Sequence, residues 1–160
     1  MNLSQQGALA ALLLFAAPLS AHEPARAPAP PQVLSPSAKD AAATVDAFHS
    51  ALDRGDMATA AALLADEALI FESGGVERSK AEYAAHHLPA DAEFSQAVSS
   101  AVTRRSGSSD GTSAWIASEG RTTGAYKGKA LDLVTTETMT LRRMGADWKI
   151  VHIHWSSGKP

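Results

Sequence analysis

Hydrophobic positions change their spacing partway along the chain, from a helical period before Leu88 to strict alternation after Phe94. In the first half, Ala41, Val45, Phe48, His49 and Leu52 recur on one face and predict a helix over 38–54. Ser37 stands as its N-cap and Gly55 as its C-cap. A second helix follows behind the cap Asp56, with Met57, Ala60, Ala61, Leu63 and Leu64 as its apolar stripe. Leu69-Ile70-Phe71 reads as a short buried strand ended by the turn Ser73-Gly74-Gly75. Ser79 caps a third helix over 80–88, with Glu82 three residues on as in a capping box, and Pro89 is expected to stop it.

The second half reads as strands. Phe94, Gln96, Val98, Ser100 and Val102 alternate, and so do Trp115, Ala117, Glu119 and Arg121 after a polar loop at 106–111. A hairpin connection at 123–128 leads to a long strand whose one face carries Leu131, Leu133, Thr135, Glu137, Met139 and Leu141. The last strand, 148–157, divides into two faces by alternation: Trp148, Ile150, His152, His154 and Ser156 against Lys149, Val151, Ile153, Trp155 and Ser157. Both faces are largely apolar, which suits a covered central strand. Helices first and strands afterwards predict an α+β fold, a strongly bent antiparallel sheet wrapped cone-like around three N-terminal helices. The open mouth of such a cone is a natural ligand site.

Ahead of the domain, residues 1–21 carry no charged side chain and contain the apolar run Ala8-Leu9-Ala10-Ala11-Leu12-Leu13-Leu14-Phe15-Ala16-Ala17, followed by Pro18-Leu19-Ser20-Ala21. The run is shorter than the roughly 20 residues of a membrane span and suits a secretory signal peptide cleaved after Ala21, although no Lys or Arg precedes it. Residues 22–37 hold five prolines and no apolar period, the composition of an extended, disordered spacer. The expectation is a periplasmic or secreted protein with no membrane association after cleavage, made of one domain over 38–157. The chain has no cysteine, so neither disulfides nor a lipid anchor on cysteine enter. Its formal net charge of −3 is unclustered, and no basic stripe with interleaved aromatics argues for nucleic acid.

The order helix, helix, short strand, helix, four strands resembles the nuclear transport factor 2-like fold. Three stretches carry the resemblance further: Glu119-Gly120-Arg121-Thr122-Thr123-Gly124, Thr136-Glu137-Thr138, and Trp148-Lys149-Ile150-Val151-His152-Ile153-His154-Trp155-Ser156. They are similar to SnoaL-like proteins of unknown function, and the last two also to the association domain of calcium/calmodulin-dependent protein kinase II. The resemblance implies a pocket, with Glu137 placed in it as the glutamate of the kinase motif is. The fold itself hosts isomerases, dehydratases, hydrolases and assembly modules, so it does not name an activity.

Glu137 shares its strand face with apolar neighbours, and a carboxylate buried there needs a partner or a shifted pKa. His152 and His154 are expected to face the same hollow as hydrogen-bonding pocket residues. Tyr83 and His87 on the third helix, with Trp115, Glu119 and Arg121 on the strand after the loop, complete the expected ligand-binding set. Glu72, at the strand end, is expected near the cone mouth. No cofactor is implied, and the pair His152 and His154 with a third ligand from His86, His87 or Glu119 is set aside as a metal centre. The favoured reading is an exported small-molecule-binding domain, a homodimer through the outer sheet face bearing Val151, Ile153 and Trp155. Its rival is a cofactor-free isomerase or dehydratase using Glu137 and a histidine for proton transfer.

Overall fold

A computed structural model describes residues 33–160; the expected signal segment at 1–21 and the first part of the spacer, 22–32, lie outside the described residues. A turn of 3₁₀ helix at Pro36–Ala38 leads into α1 (Lys39–Asp53), then α2 (Met57–Leu63), β1 (Leu64–Glu72), β2 (Gly75–Glu77), α3 (Lys80–His86) and α4 (Leu88–Ala97). The four strands β3 (Val98–Ser109), β4 (Ser113–Tyr126), β5 (Lys129–Met144) and β6 (Asp147–Gly158) complete it. The architecture is α+β, four helices against one curled, unclosed six-stranded sheet ordered β2-β1-β6-β5-β4-β3.

Helical spacing explains α1: Ala41, Ala42, Val45, Phe48, Ala51 and Leu52 are buried on one side of it. Gly55 takes φ +68°, a left-handed conformation that suits glycine. Its N–H and that of Asp56 return to the carbonyls of Leu52 and Ala51, closing the helix. Asp56 and Ser79 cap α2 and α3 through the amides of Thr59 and Glu82. Ser37 does not cap α1; its hydroxyl donates to the carbonyl of Ser109 and fastens the chain to β3. Beside it, the Ser35 amide donates to the Gly107 carbonyl at 2.9 Å, and Leu34 packs against the core. The last residues of the expected spacer are thus attached to the end strand of the sheet.

Three expectations change. Pro89 does not end the helical region but sits in the first turn of α4, where its missing N–H would have no partner within the helix. Phe94 and Gln96 are therefore helical, and β3 starts at Val98 and runs into the expected loop as far as Ser109. The sheet is mixed rather than wholly antiparallel, because β1 pairs parallel to β6.

The third change decides the site. Thr140 pairs with His152 but Leu141 pairs with Ile150, so Val151 has no partner on β5 and forms a bulge. One extra residue reverses the facing of all that follows. Ile150 before the bulge and Ile153 after it are both fully buried, three positions apart. From there on Ile153 and Trp155 face inward with their β5 neighbours Met139 and Glu137, and the histidines turn to the outer side beside Thr140 and Thr138.

Candidate functional site

A cavity of about 510 Å³ opens between α1, α4 and the inner side of the sheet. From α1 come Asp46, His49, Ser50 and Asp53, spaced three and four apart on the edge of the buried stripe. The sheet adds Arg105, Ser118, Glu137 and Trp155, and Glu72 and Asp91 stand at the end of β1 and on α4. Leu52, Phe94 and Leu133 are among its apolar lining.

Glu137 is 9 % exposed and pairs with two donors. His49 Nε2 lies 2.6 Å from its Oε2, and the Trp155 indole N–H donates to the same oxygen at 2.8 Å. Burial would push the Glu137 carboxyl up, but the His49 hydrogen bond and charge, the indole and Arg105 outweigh it and hold the group below the usual carboxylate range. Burial likewise disfavours a charged His49, yet the bond to Glu137 and its charge prevail and raise the imidazole above its ordinary value. Both shifts favour the imidazolium–carboxylate form of the pair. Phe48 stacks on Trp155 with ring centroids 6.3 Å apart and packs edge-on against His49 at 5.7 Å, fixing both partners of the carboxylate. Arg105 bonds Asp46 at 2.6 Å and the Ser118 hydroxyl at 3.2 Å.

Two carboxyls of the cavity, Glu72 and Asp91, behave oppositely. Burial raises Glu72, and the nearby charge of Asp91 raises it further against a weaker effect of His87. Burial also raises Asp91, although the fully buried Tyr83 donates its hydroxyl to it at 2.7 Å.

Of the residues expected from the sequence, Glu137 and Glu119 line the cavity. The Glu119 carboxylate is itself exposed and reaches Arg104 at 3.9 Å. Tyr83 meets the cavity through Asp91, while His87 is paired with the buried Glu77. Arg121 points away and is held by Asp132 in a two-bond pair at 2.7 and 2.6 Å. Trp115 is 41 % exposed and does not line the cavity. His152 bonds the Leu69 carbonyl at 2.8 Å and packs edge-on with Phe71, as does the exposed His154. The expected meeting of these imidazoles with Glu137 does not form, because the bulge at Val151 turns them to the outer face. The same bulge removes Ile153 and Trp155 from that face, where they were expected to supply an apolar dimer patch. No group of three or more His, Asp or Glu side chains among the described residues is placed to hold a metal ion. No helix among them is long and apolar enough to cross a membrane.

The sequence reading missed His49, Trp155, Arg105 and Asp91 as site residues. His49 had a signal, an imidazole inside the apolar stripe of α1. Trp155 lies on the face opposite to the one that alternation predicts, and no motif or spacing in the sequence singles out Arg105.

A family model for the SnoaL-like domain matches residues 41–159. The chain belongs to this family, within the nuclear transport factor 2-like superfamily. It is similar to a crystal structure from Shewanella frigidimarina named as a candidate ketosteroid isomerase, at 35 % identity and a TM-score of 0.73, over 78 % of this chain and all of that one (100 %). Two further structures share the fold. One, from Streptomyces avermitilis, is named as a candidate dehydratase of the nuclear transport factor 2-like family (18 % identity, 76 % and 96 % covered, TM-score 0.61). The other is the association domain of calcium/calmodulin-dependent protein kinase II from C. elegans (17 % identity, 74 % and 93 % covered, TM-score 0.59). Comparison with curated proteins finds no match.

Proposed function

We propose that the domain binds a small organic molecule in the cavity under α1 and α4. The observation that carries this reading is the void itself: about 510 Å³, lined by polar side chains and by Leu52, Phe94, Leu133 and Trp155, with the half-buried His49–Glu137 pair at its wall. A space of that size suits a compact ligand, and a few fixed polar groups in an apolar wall supply orientation. Among the described tryptophans only Trp155 lines it, so ligand entry is expected to change its fluorescence. Native mass spectrometry of gently purified protein, followed by a fluorescence-detected ligand screen, tests the reading. A retained or captured small molecule whose affinity falls at least tenfold in His49→Ala supports it; binding unaffected by His49→Ala and Trp155→Phe sinks it.

A second reading, cofactor-free proton transfer as in an isomerase or dehydratase, is favoured by the two opposed kinds of acid on one cavity. Glu72, raised toward neutrality, would take a proton from carbon beside a carbonyl, and the imidazolium of His49 would donate to the developing enolate oxygen. Similarity to proteins named as a candidate ketosteroid isomerase and a candidate dehydratase adds weight. Deuterium exchange into carbonyl compounds that is lost in Glu72→Gln, with binding kept, would mark this reading as correct. Exchange that persists in Glu72→Gln would remove it.

The apolar run at 8–17 and the small residues before His22 support export to the periplasm or beyond. N-terminal sequencing of the secreted form is expected to start at His22. The outer sheet face, where Trp115, Thr140 and His152 lie side by side with the 45 %-exposed Val134 further along, is proposed as a homodimer contact. The association-domain similarity supports assembly, and a monomeric mass in light scattering would refute it.

A further inference from the structure

The cavity wall is unbalanced in charge. Among the described residues that line it, Asp46, Asp53, Glu72, Asp91, Glu119 and Glu137 carry carboxyls, against one guanidinium, Arg105, and one imidazole, His49. Both cations are already matched, Arg105 by Asp46 and His49 by Glu137. Glu119 has Arg104 outside. Asp53, Glu72 and Asp91 have no ion-pair partner among the described residues. The charge of His87 is felt at Glu72 and Asp91, but its ring is bonded to Glu77.

The wall is also unbalanced in hydrogen bonding, which is a separate matter from charge. Its strong donors are turned inward on the protein's own acceptors: the Trp155 indole on Glu137, the Tyr83 hydroxyl on Asp91, the Ser95 hydroxyl on Asp53, and Arg105 on Asp46 and Ser118. The hydroxyls that also line it, Ser50, Ser73, Thr135, Thr136, Ser156 and Ser157, can donate or accept and so do not select by charge, whereas an anionic ligand would be repelled by the carboxyls. A ligand that brings its own N–H donors and a positive charge answers both imbalances. Its hydrocarbon part has Leu52, Phe94, Leu133 and Trp155 to lie against.

Resting on the small-molecule reading above, we infer that the ligand class is an organic amine, its ammonium seated between Glu72 and Asp91 and its apolar body along the Phe94 and Trp155 side of the cavity. The ammonium would supply the opposite charge that these two cavity carboxyls lack, Asp91 half-buried and Glu72 exposed at the end of β1.

Three probes of matched size test this: 4-phenylbutylamine, 4-phenylbutan-1-ol and 4-phenylbutanoate, titrated into the wild-type protein at pH 8 by calorimetry and Trp155 fluorescence. The amine is expected to bind at least tenfold tighter than the alcohol, and the carboxylate weaker than either. Glu72→Gln and Asp91→Asn are each expected to reduce the preference for amine over alcohol about tenfold. The wild-type comparison needs no variant, so a variant that fails to fold leaves the test intact. Alcohol or carboxylate binding as tight as the amine overturns the amine assignment alone. Failure of all three at millimolar concentration overturns the small-molecule reading with it.

Discussion

The carboxyls of one cavity are governed in two different ways. Around His49, Glu137 is buried but has an imidazole, an indole N–H and a nearby guanidinium, and it stays ionised below the usual carboxylate range. Around Tyr83, Asp91 is half-buried with a hydroxyl for a partner, and its charge is felt by a second carboxyl, Glu72; both are pushed upward. Residue type does not set acid strength here; the identity of the partners does. Two titratable groups driven apart in this way are what bifunctional proton chemistry needs, and what a charged ligand would read as one occupied and one open position.

The comparison is broken most severely by removing Glu137. Glu137→Ala strands the imidazolium and the indole N–H. Breaking a buried pair typically costs about 3–5 kcal/mol, and since 38 % of the His49 side chain is open to solvent, roughly 2–3 kcal/mol is expected, read from denaturant unfolding. Trp155→Phe keeps the ring packing on Phe48 but deletes one donor to the carboxylate. A loss of about 1 kcal/mol is expected, with the His49 ring resonance still titrating above the ordinary imidazole value.

At the other carboxyls the sign reverses. Asp91→Asn keeps an acceptor for Tyr83 and removes a like charge from Glu72, so the protein is expected to be slightly more stable at neutral pH, by up to about 0.5 kcal/mol. The pH dependence separates the two groups. The raised His49 contributes stability that is full below 6.5 and lost as pH rises through its higher folded value. The lowered Glu137 contributes stability present above 4.5 and lost as pH falls through its lower folded value. The pair therefore stabilises most between these values. Glu72 and Asp91, both raised, favour the folded state below 4.5 and 3.8 respectively, and that advantage disappears as pH rises through their folded values. Thermal unfolding from pH 2 to 8 is expected to show Glu137→Gln flattening the rise below 4.5 and Asp91→Asn flattening the decline that begins above 3.8. The smallest effect is expected at the outer face: His154→Ala should shift stability by less than about 0.5 kcal/mol and leave any cavity ligand bound as before.

Much of the fold was legible along the chain. The stripe on α1, the caps Asp56 and Ser79, the glycine closure at Gly55 and the inward face of β5 from Leu133 to Leu141 all follow from local rules, because each depends on residues a few positions apart. That β5 pattern also placed Glu137 among apolar neighbours, and this alone made it a site candidate. Pro89 was ambiguous in principle, since the same missing N–H that ends one helix is tolerated at the start of another.

What only the tertiary structure decided is which residues meet Glu137. Alternation across 148–157 is a period-2 argument, and one unpaired residue, Val151, inverts it: the two histidines leave the cavity and Trp155 enters. Nothing local to Val151 announces a bulge, because it arises where β6 must satisfy an antiparallel β5 on one side and a parallel β1 on the other. The partner that matters most, His49, stands 88 positions from Glu137, and Asp91 comes from α4 to the cavity that Glu72 also lines. Spacing within an element is written in the chain; contacts between distant elements come from the curl of the sheet and the burial that closes it.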